Sequence, residues 1–140
     1  MSLVFFTDRD LGKQFPARLA AAGLRVERHG DLFPPGGSDE QWLEHCGRHE
    51  RVAVTHNSRI RYVPNELAAV VKFNVRLLVV VGQVPTAELA RSFINTAHRI
   101  EAFVAAHAAP FIAKVYRVSP GELDSDPAAA GRVELWYPKP

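Results

Sequence analysis

Three oxygen-bearing side chains stand where a fold could gather them for chemistry. Asp8 follows a short apolar run, Asp39 opens a helical pattern, and Asn57 follows another apolar run. Hard divalent cations such as Mg²⁺ or Mn²⁺ take oxygen ligands, keep several waters and are usually held by one or two carboxylates. An ion held in this way activates water and neutralises charge on a phosphodiester during in-line attack. Asp8, Asp39 and Asn57 are therefore the candidate catalytic and metal-binding residues. Arg9, Arg59 and Arg61 are the candidate substrate-binding residues, because a guanidinium pairs bidentately with phosphate. Asp10, Asp31 and Glu40 are further acids close to these positions.

The elements that must position them follow from the apolar pattern. Leu3–Phe6 reads as a strand buried on both faces. Asp10 then reads as a helix N-cap, with Leu11, Phe15, Leu19 and Ala22 on one face, a kink or late start at Pro16, and Gly23 as C′. Leu24–Glu27 is a second strand, followed by a loop from Gly30 to Gly37. Ser38 and Gln41 have the spacing of a capping box before a helix through Trp42, Leu43 and Cys46. Val52–Val54 is a third strand ending at Thr55-His56-Asn57. Pro64-Asn65 opens a helix with Leu67, Val70 and Val71 facing inward, and Val75–Val81 is the most apolar strand. Thr86 is placed as the cap of a long helix with Leu89, Phe93, Ala97, Ile100 and Val104 on its inner face. Phe111–Val118 and Arg132–Tyr137 read as an antiparallel strand pair, separated by a polar loop from Pro120 to Gly131.

Alternation of strand and helix predicts an α/β fold with a mainly parallel sheet and helices on both faces. In such sheets ligands bind outside the carboxyl ends of the strands. Asp8, Asp39 and Asn57 are all expected on that rim. The whole chain, 1–140, is expected to be a single domain, with a core over about 1–110 and a strand extension over 111–140. With 140 residues it is long enough to bury a core unaided. A net charge of +2 permits a nucleic-acid partner without demanding one. Cys46 is the single cysteine, which favours a cytoplasmic setting. The opening residues lack the pattern of a signal peptide. The longest apolar run is far short of the roughly 20 residues that span a bilayer.

Three blocks together resemble PIN-like domains. Phe5-Phe6-Thr7-Asp8-Arg9-Asp10-Leu11-Gly12 is similar to their opening, in which an Asp ends the first strand. Asp31-Leu32-Phe33-Pro34-Pro35 with Ser38-Asp39-Glu40-Gln41-Trp42-Leu43 resembles the second block. Val54-Thr55-His56-Asn57-Ser58-Arg59-Ile60-Arg61, followed by Asn65-Glu66-Leu67, resembles the third. The similarity extends to the PIN-like toxins of the VapC class and covers roughly the first 80 residues. It implies a three-layer α/β/α fold and a Mg²⁺- or Mn²⁺-dependent endoribonuclease, often the toxin of a toxin–antitoxin pair. RNA and an antitoxin protein are then the expected partners, a homodimer is a further possibility, and no membrane is involved. Asp8 and Asp39 match the first two acidic positions. The third block usually carries Thr-x-Asp, and here reads Thr55-His56-Asn57.

Each residue also has a structural reading. Asp8 or Asp10 caps the following helix, and Asp39 and Glu40 complement a helix dipole. Asn57 is a turn residue in a left-handed conformation. His45 and His49 lie on a solvated helix face, and His56 is a loop histidine or a phosphate contact. Cys46 is core. Replacement of the third acid by Asn57 supports a second function class, a PIN-like binding or regulatory module without catalysis. A small phosphatase or phosphate-binding protein is a third, weakened by the lack of a phosphate loop or a placed nucleophile.

Overall fold

A computed structural model describes residues 3–139. Strands β1 (Val4–Thr7), β2 (Arg25–Arg28), β3 (Val52–Thr55), β4 (Arg76–Val81), β5 (Phe111–Tyr116) and β6 (Val133–Tyr137) form one sheet in the order β2-β1-β3-β4-β5-β6. The first five run parallel, and β6 is antiparallel to β5. The helices are α1 (Gln14–Ala21), α2 (His29–Leu32), α3 (Asp39–Arg48), α4 (Pro64–Lys72), α5 (Thr86–Ala106) and α6 (Pro120–Ser125), with 3-10 turns over Arg9–Leu11 and Ser58–Tyr62. This is the α/β architecture that the alternation predicts, closed by the expected antiparallel ribbon. No helix among the described residues is long and apolar enough to cross a membrane.

The two faces of the sheet explain the unbroken apolar runs, since successive side chains of a strand point to opposite sides. Phe5 packs with Phe15 and Leu19 of α1 and with Leu89, Phe93 and Ile100 of α5. Phe6, its neighbour, packs on the other side with Trp42, Leu43 and Cys46 of α3 and Ala69 and Val70 of α4. Each fully buried Leu or Phe contributes roughly 1.5–3 kcal/mol. The first face also buries Thr7 of β1 and Ser92 and Thr96 of α5. The second carries Thr55 at its edge, where the functional side chains collect.

Several local expectations are corrected. Asp10 is not a helix cap: it lies inside the Arg9–Leu11 turn, which Asp8 caps by accepting from the Arg9 amide. Helix α1 starts late, at Gln14, which leaves Pro16 in the first turn, where a missing N–H costs nothing. Ser38 is the N-cap of α3, but its side chain makes no capping hydrogen bond, so the capping box does not form. Thr86 is the first residue of α5, and Pro85 precedes it as the cap. Val71 faces solvent. The two loops contain α2 and α6. Gly23 does end α1 with a positive φ of 93°. Gly47 lets α3 lie directly against the end of α4, because a Cβ there would strike the Phe73 carbonyl.

Candidate active site

The polypeptide turns sharply at the carboxyl ends of β1 and β3, and both turns are held by acids. Asp8 is buried at 9% exposure and accepts from the Arg9 amide at 2.7 Å and from the Thr55 hydroxyl at 2.9 Å. The Asp10 carboxylate reaches the same hydroxyl at 3.2 Å and accepts from the His56 amide at 3.2 Å. Thr55 has a single hydroxyl hydrogen, so it serves one of the two carboxylates at a time. Asn57 caps the Ser58–Tyr62 turn, its Oδ1 accepting from the Arg59 amide at 3.0 Å. Its φ of −82° is extended, so the left-handed reading does not hold. The His56 Nε2 donates to the Gly82 carbonyl at 2.8 Å and ties the ends of β3 and β4 together. It is occupied there rather than free for phosphate.

Asp39 arrives from the second layer. The Trp42 indole, stacked 5.6 Å from the Phe6 ring, donates to its carboxylate at 2.9 Å. Asp8, Arg9, Asp10, Asp39 and Asn57 then line one cleft of about 390 Å³. The expected convergence of Asp8, Asp39 and Asn57 is thus found, with Arg9 and Asp10 beside them. Arg59 is exposed on the turn but does not line the cleft. Arg61 is turned among Tyr62, Trp136 and Tyr137. Asp31 is exposed and faces Arg28 at 3.6 Å. Glu40 lines a separate groove between α3 and α4 with Gln41 and Lys72. His45 is not solvated: it bonds Glu27 at 3.0 Å, and Glu27 also pairs with Arg51 at 3.1 Å. Burial pushes the Cys46 thiol up, as for a core residue.

Two residues escaped the sequence reading. Glu66, in the first turn of α4, sits against Asp39 with its Oε2 buried and without a hydrogen-bond partner among the described residues. Burial, reinforced by Asp39, pushes its carboxyl up to about 8, while the bond to Glu66 holds Asp39 below the usual carboxylate range. Glu66 lies in the third block, but an acid in a first helical turn reads as dipole compensation. His29, 4% exposed, leaves its Nδ1 unpartnered; burial lowers it, with Arg9 adding to the shift and Asp39 opposing it. A lone histidine after a strand carries no signal of its own.

Electrostatics mark the cleft as unfinished. Burial, then the charge of Asp10, raises Asp8 to about 6, against the lowering effect of Thr55 and Arg9. Desolvation raises Asp10 as well, against hydrogen bonds from His56 and Thr55. Among the described residues no three His, Cys, Asp or Glu side chains form a ready-made metal group. The donors are nonetheless all hard oxygens, and one or two carboxylates with water suffice for Mg²⁺. The orphaned Glu66 oxygen and the raised Asp8 carboxyl mark where a cation would relieve the repulsion.

A family model described as a PIN like domain matches residues 3–82. The chain therefore belongs to the PIN-like domain family, a nuclease-type family. The match identifies no toxin subgroup within it. No curated protein matches the chain. No solved structure matches it either.

Proposed function

We propose that the protein is a Mg²⁺- or Mn²⁺-dependent endoribonuclease. The observation that carries this reading is the cleft itself, where Asp8, Asp10 and Asp39 crowd together with Arg9 as the cation among the lining residues. The bound ion would supply an acidified water and neutralisation of phosphodiester charge. Asp8 and Asp39 are the side chains that would hold it. Thr55 fixes the Asp8 carboxylate, and Trp42 fixes that of Asp39. Glu66 keeps a proton against Asp39, which lets two carboxyl groups stand side by side. Asn57 spends an Oδ1 lone pair on its cap, leaving its amide hydrogens to donate to a phosphate oxygen. Arg9 pairs with the phosphate.

The test is cleavage of a mixed-sequence single-stranded RNA by the full chain with Mg²⁺ or Mn²⁺. Cleavage that stops with EDTA, and is missing from the Asp8→Asn/Asp39→Asn double variant, supports the reading. Cleavage retained by that variant, or none with either metal, overturns it. Growth arrest on expression, relieved by the same substitutions, tests the toxin role that a protein antitoxin would oppose.

A second reading, a binding module without catalysis, is favoured by the use of the Asn57 oxygen as a cap. Calorimetric titration with Mn²⁺ separates the two, since the module predicts no heat that depends on Asp8.

A further inference from the structure

We infer that the corner between the Ser58–Tyr62 turn and the β5–β6 ribbon binds single-stranded RNA beside the cleft, with a base stacked on Tyr62 and phosphates held by Arg59, Arg61 and Lys114. This deepens the ribonuclease reading and shares only its choice of RNA as ligand. The corner joins Arg59, Arg61 and Tyr62 from the matched 3–82 span to Lys114 and Trp136 from beyond it.

The Tyr62 ring is 66% exposed, with its edge on Trp136 at 5.7 Å and an interplanar angle of 81°. The Arg61 guanidinium lies 5.2 Å from the Tyr62 ring, 5.5 Å from Trp136 and 5.8 Å from Tyr137. The Lys114 ammonium lies over Trp136 at 4.2 Å. Among the described residues none of Arg59, Arg61 and Lys114 has a carboxylate within ion-pairing distance, and the buried Arg61 Nε has no hydrogen-bond partner.

Sheet register links the corner to the cleft. Thr55, which bonds Asp8, is level with Val79 on β4, and Val79 is level with Lys114 on β5. All three project from the face covered by α3 and α4. Two strand spacings put Lys114 roughly 10 Å across the sheet from Thr55. The turn that carries Arg59, Arg61 and Tyr62 is capped by Asn57, a residue of the cleft wall.

Cations set around an exposed aromatic ring are what unpaired nucleotides require. Base stacking on an aromatic ring is worth about 1–3 kcal/mol per base, and cations track the phosphates. A structural role alone accounts for Arg61, set among three rings. It also covers Lys114, which lies over Trp136, but it does not account for an exposed tyrosine beside the exposed Arg59, which has no counter-ion among the described residues. Duplex RNA hides its base faces and cannot use the rings.

The experiment is fluorescence anisotropy of a labelled, unstructured 12-nucleotide RNA with the full chain in EDTA, where no cleavage intervenes. Tyr62→Ala is expected to weaken binding about tenfold, within the range for one stacked base. Arg59→Gln and Lys114→Gln are each expected to reduce the slope of log affinity against log salt by roughly 0.7. A duplex of the same sequence is expected to bind more weakly and to ignore Tyr62→Ala. Thermal melts confirm that each variant folds. No binding by the parent protein, equal affinity for the duplex, or an unchanged affinity and salt slope in the variants would overturn the inference. Binding that depends on Tyr62 in a protein that cleaves nothing overturns only the ribonuclease reading. Cleavage with these variants unaffected in binding overturns only the corner.

Discussion

The acidic cleft and the cation–aromatic corner meet at one short turn, Ser58–Tyr62, yet they keep their charges apart. In the cleft, Asp8, Asp10 and Asp39 crowd together with Arg9 beside them. At the corner, Arg59, Arg61 and Lys114 have no carboxylate among the described residues. Elsewhere the chain does pair its charges, as in Glu27 with Arg51 and His45. A sequence tuned for stability alone would let the two regions neutralise each other. Keeping them separate leaves one region in need of a cation and the other in need of an anion. Under the proposed function, a metal ion and a phosphodiester strand would meet both needs.

The comparison breaks first at Asp8. Asp8→Asn is expected to reduce RNA cleavage on the order of 100-fold or more, the scale of lost metal binding and orientation. It leaves the turn intact, because Asn caps as well as Asp. Multiple-turnover cleavage rates measure this, and an undiminished rate removes Asp8 from the chemistry.

Stability in the absence of metal gives a second, independent measure. The folded state raises Asp8 from 3.8 to about 6, so it binds the proton more tightly than the unfolded chain. The resulting stabilisation is complete below pH 3.8 and lost as pH rises through about 6. At pH 7 this leaves the Asp8 carboxylate as a cost of about 3 kcal/mol. Asp8→Asn is thus expected to stabilise the metal-free protein at pH 7 and to flatten its stability between pH 4 and 6. Urea unfolding at several pH values in EDTA reads both; equal pH dependence in parent and variant contradicts the crowding.

Asn57→Asp sharpens the contrast by adding a carboxylate to the acidic side alone. It preserves the cap on the Arg59 amide. Mn²⁺ affinity is expected to rise about tenfold, or roughly 1.4 kcal/mol, while the metal-free protein loses stability. Calorimetry decides it: unchanged affinity assigns Asn57 to the turn alone.

The smallest effect belongs to the corner's own cohesion. Arg61→Gln removes a half-buried cation from among three rings, at roughly 1 kcal/mol for a partly desolvated cation–π contact. Urea unfolding is expected to show a loss of that size without a change in the pH profile set by Asp8. A shifted profile would mean that the two regions are electrically coupled.

The sheet was legible because a parallel strand buried on both faces writes itself as an unbroken apolar run, as in Val52–Val54 and Val75–Val81. Asp8, Asp39 and Asn57 were legible because strand ends and helix starts fix a rim. Glu66 was not, because its partner Asp39 is distant in sequence and its first-turn position has an ordinary explanation. The role of Trp42 was hidden because a core tryptophan gives no sign that its N–H holds a carboxylate. The late start of α1 was legible at Pro16, but the separate turn that Asp8 caps through the Arg9 amide was invisible to apolar periodicity. Arg61 left the rim for aromatic partners on β6, far along the chain.

The absent side chain of Gly47 brings two helices together. Helices α3 and α4 touch at their far ends, where Gly47 meets the Phe73 carbonyl, and at their near ends, where Asp39 meets Glu66. Eight residues of helix put these points roughly 12 Å apart. A methyl group at 47 would strike the Phe73 carbonyl, so the far ends would have to shift apart to admit it. The two acids of the cleft wall thus ride on helices whose closest approach is set by a residue outside the cleft.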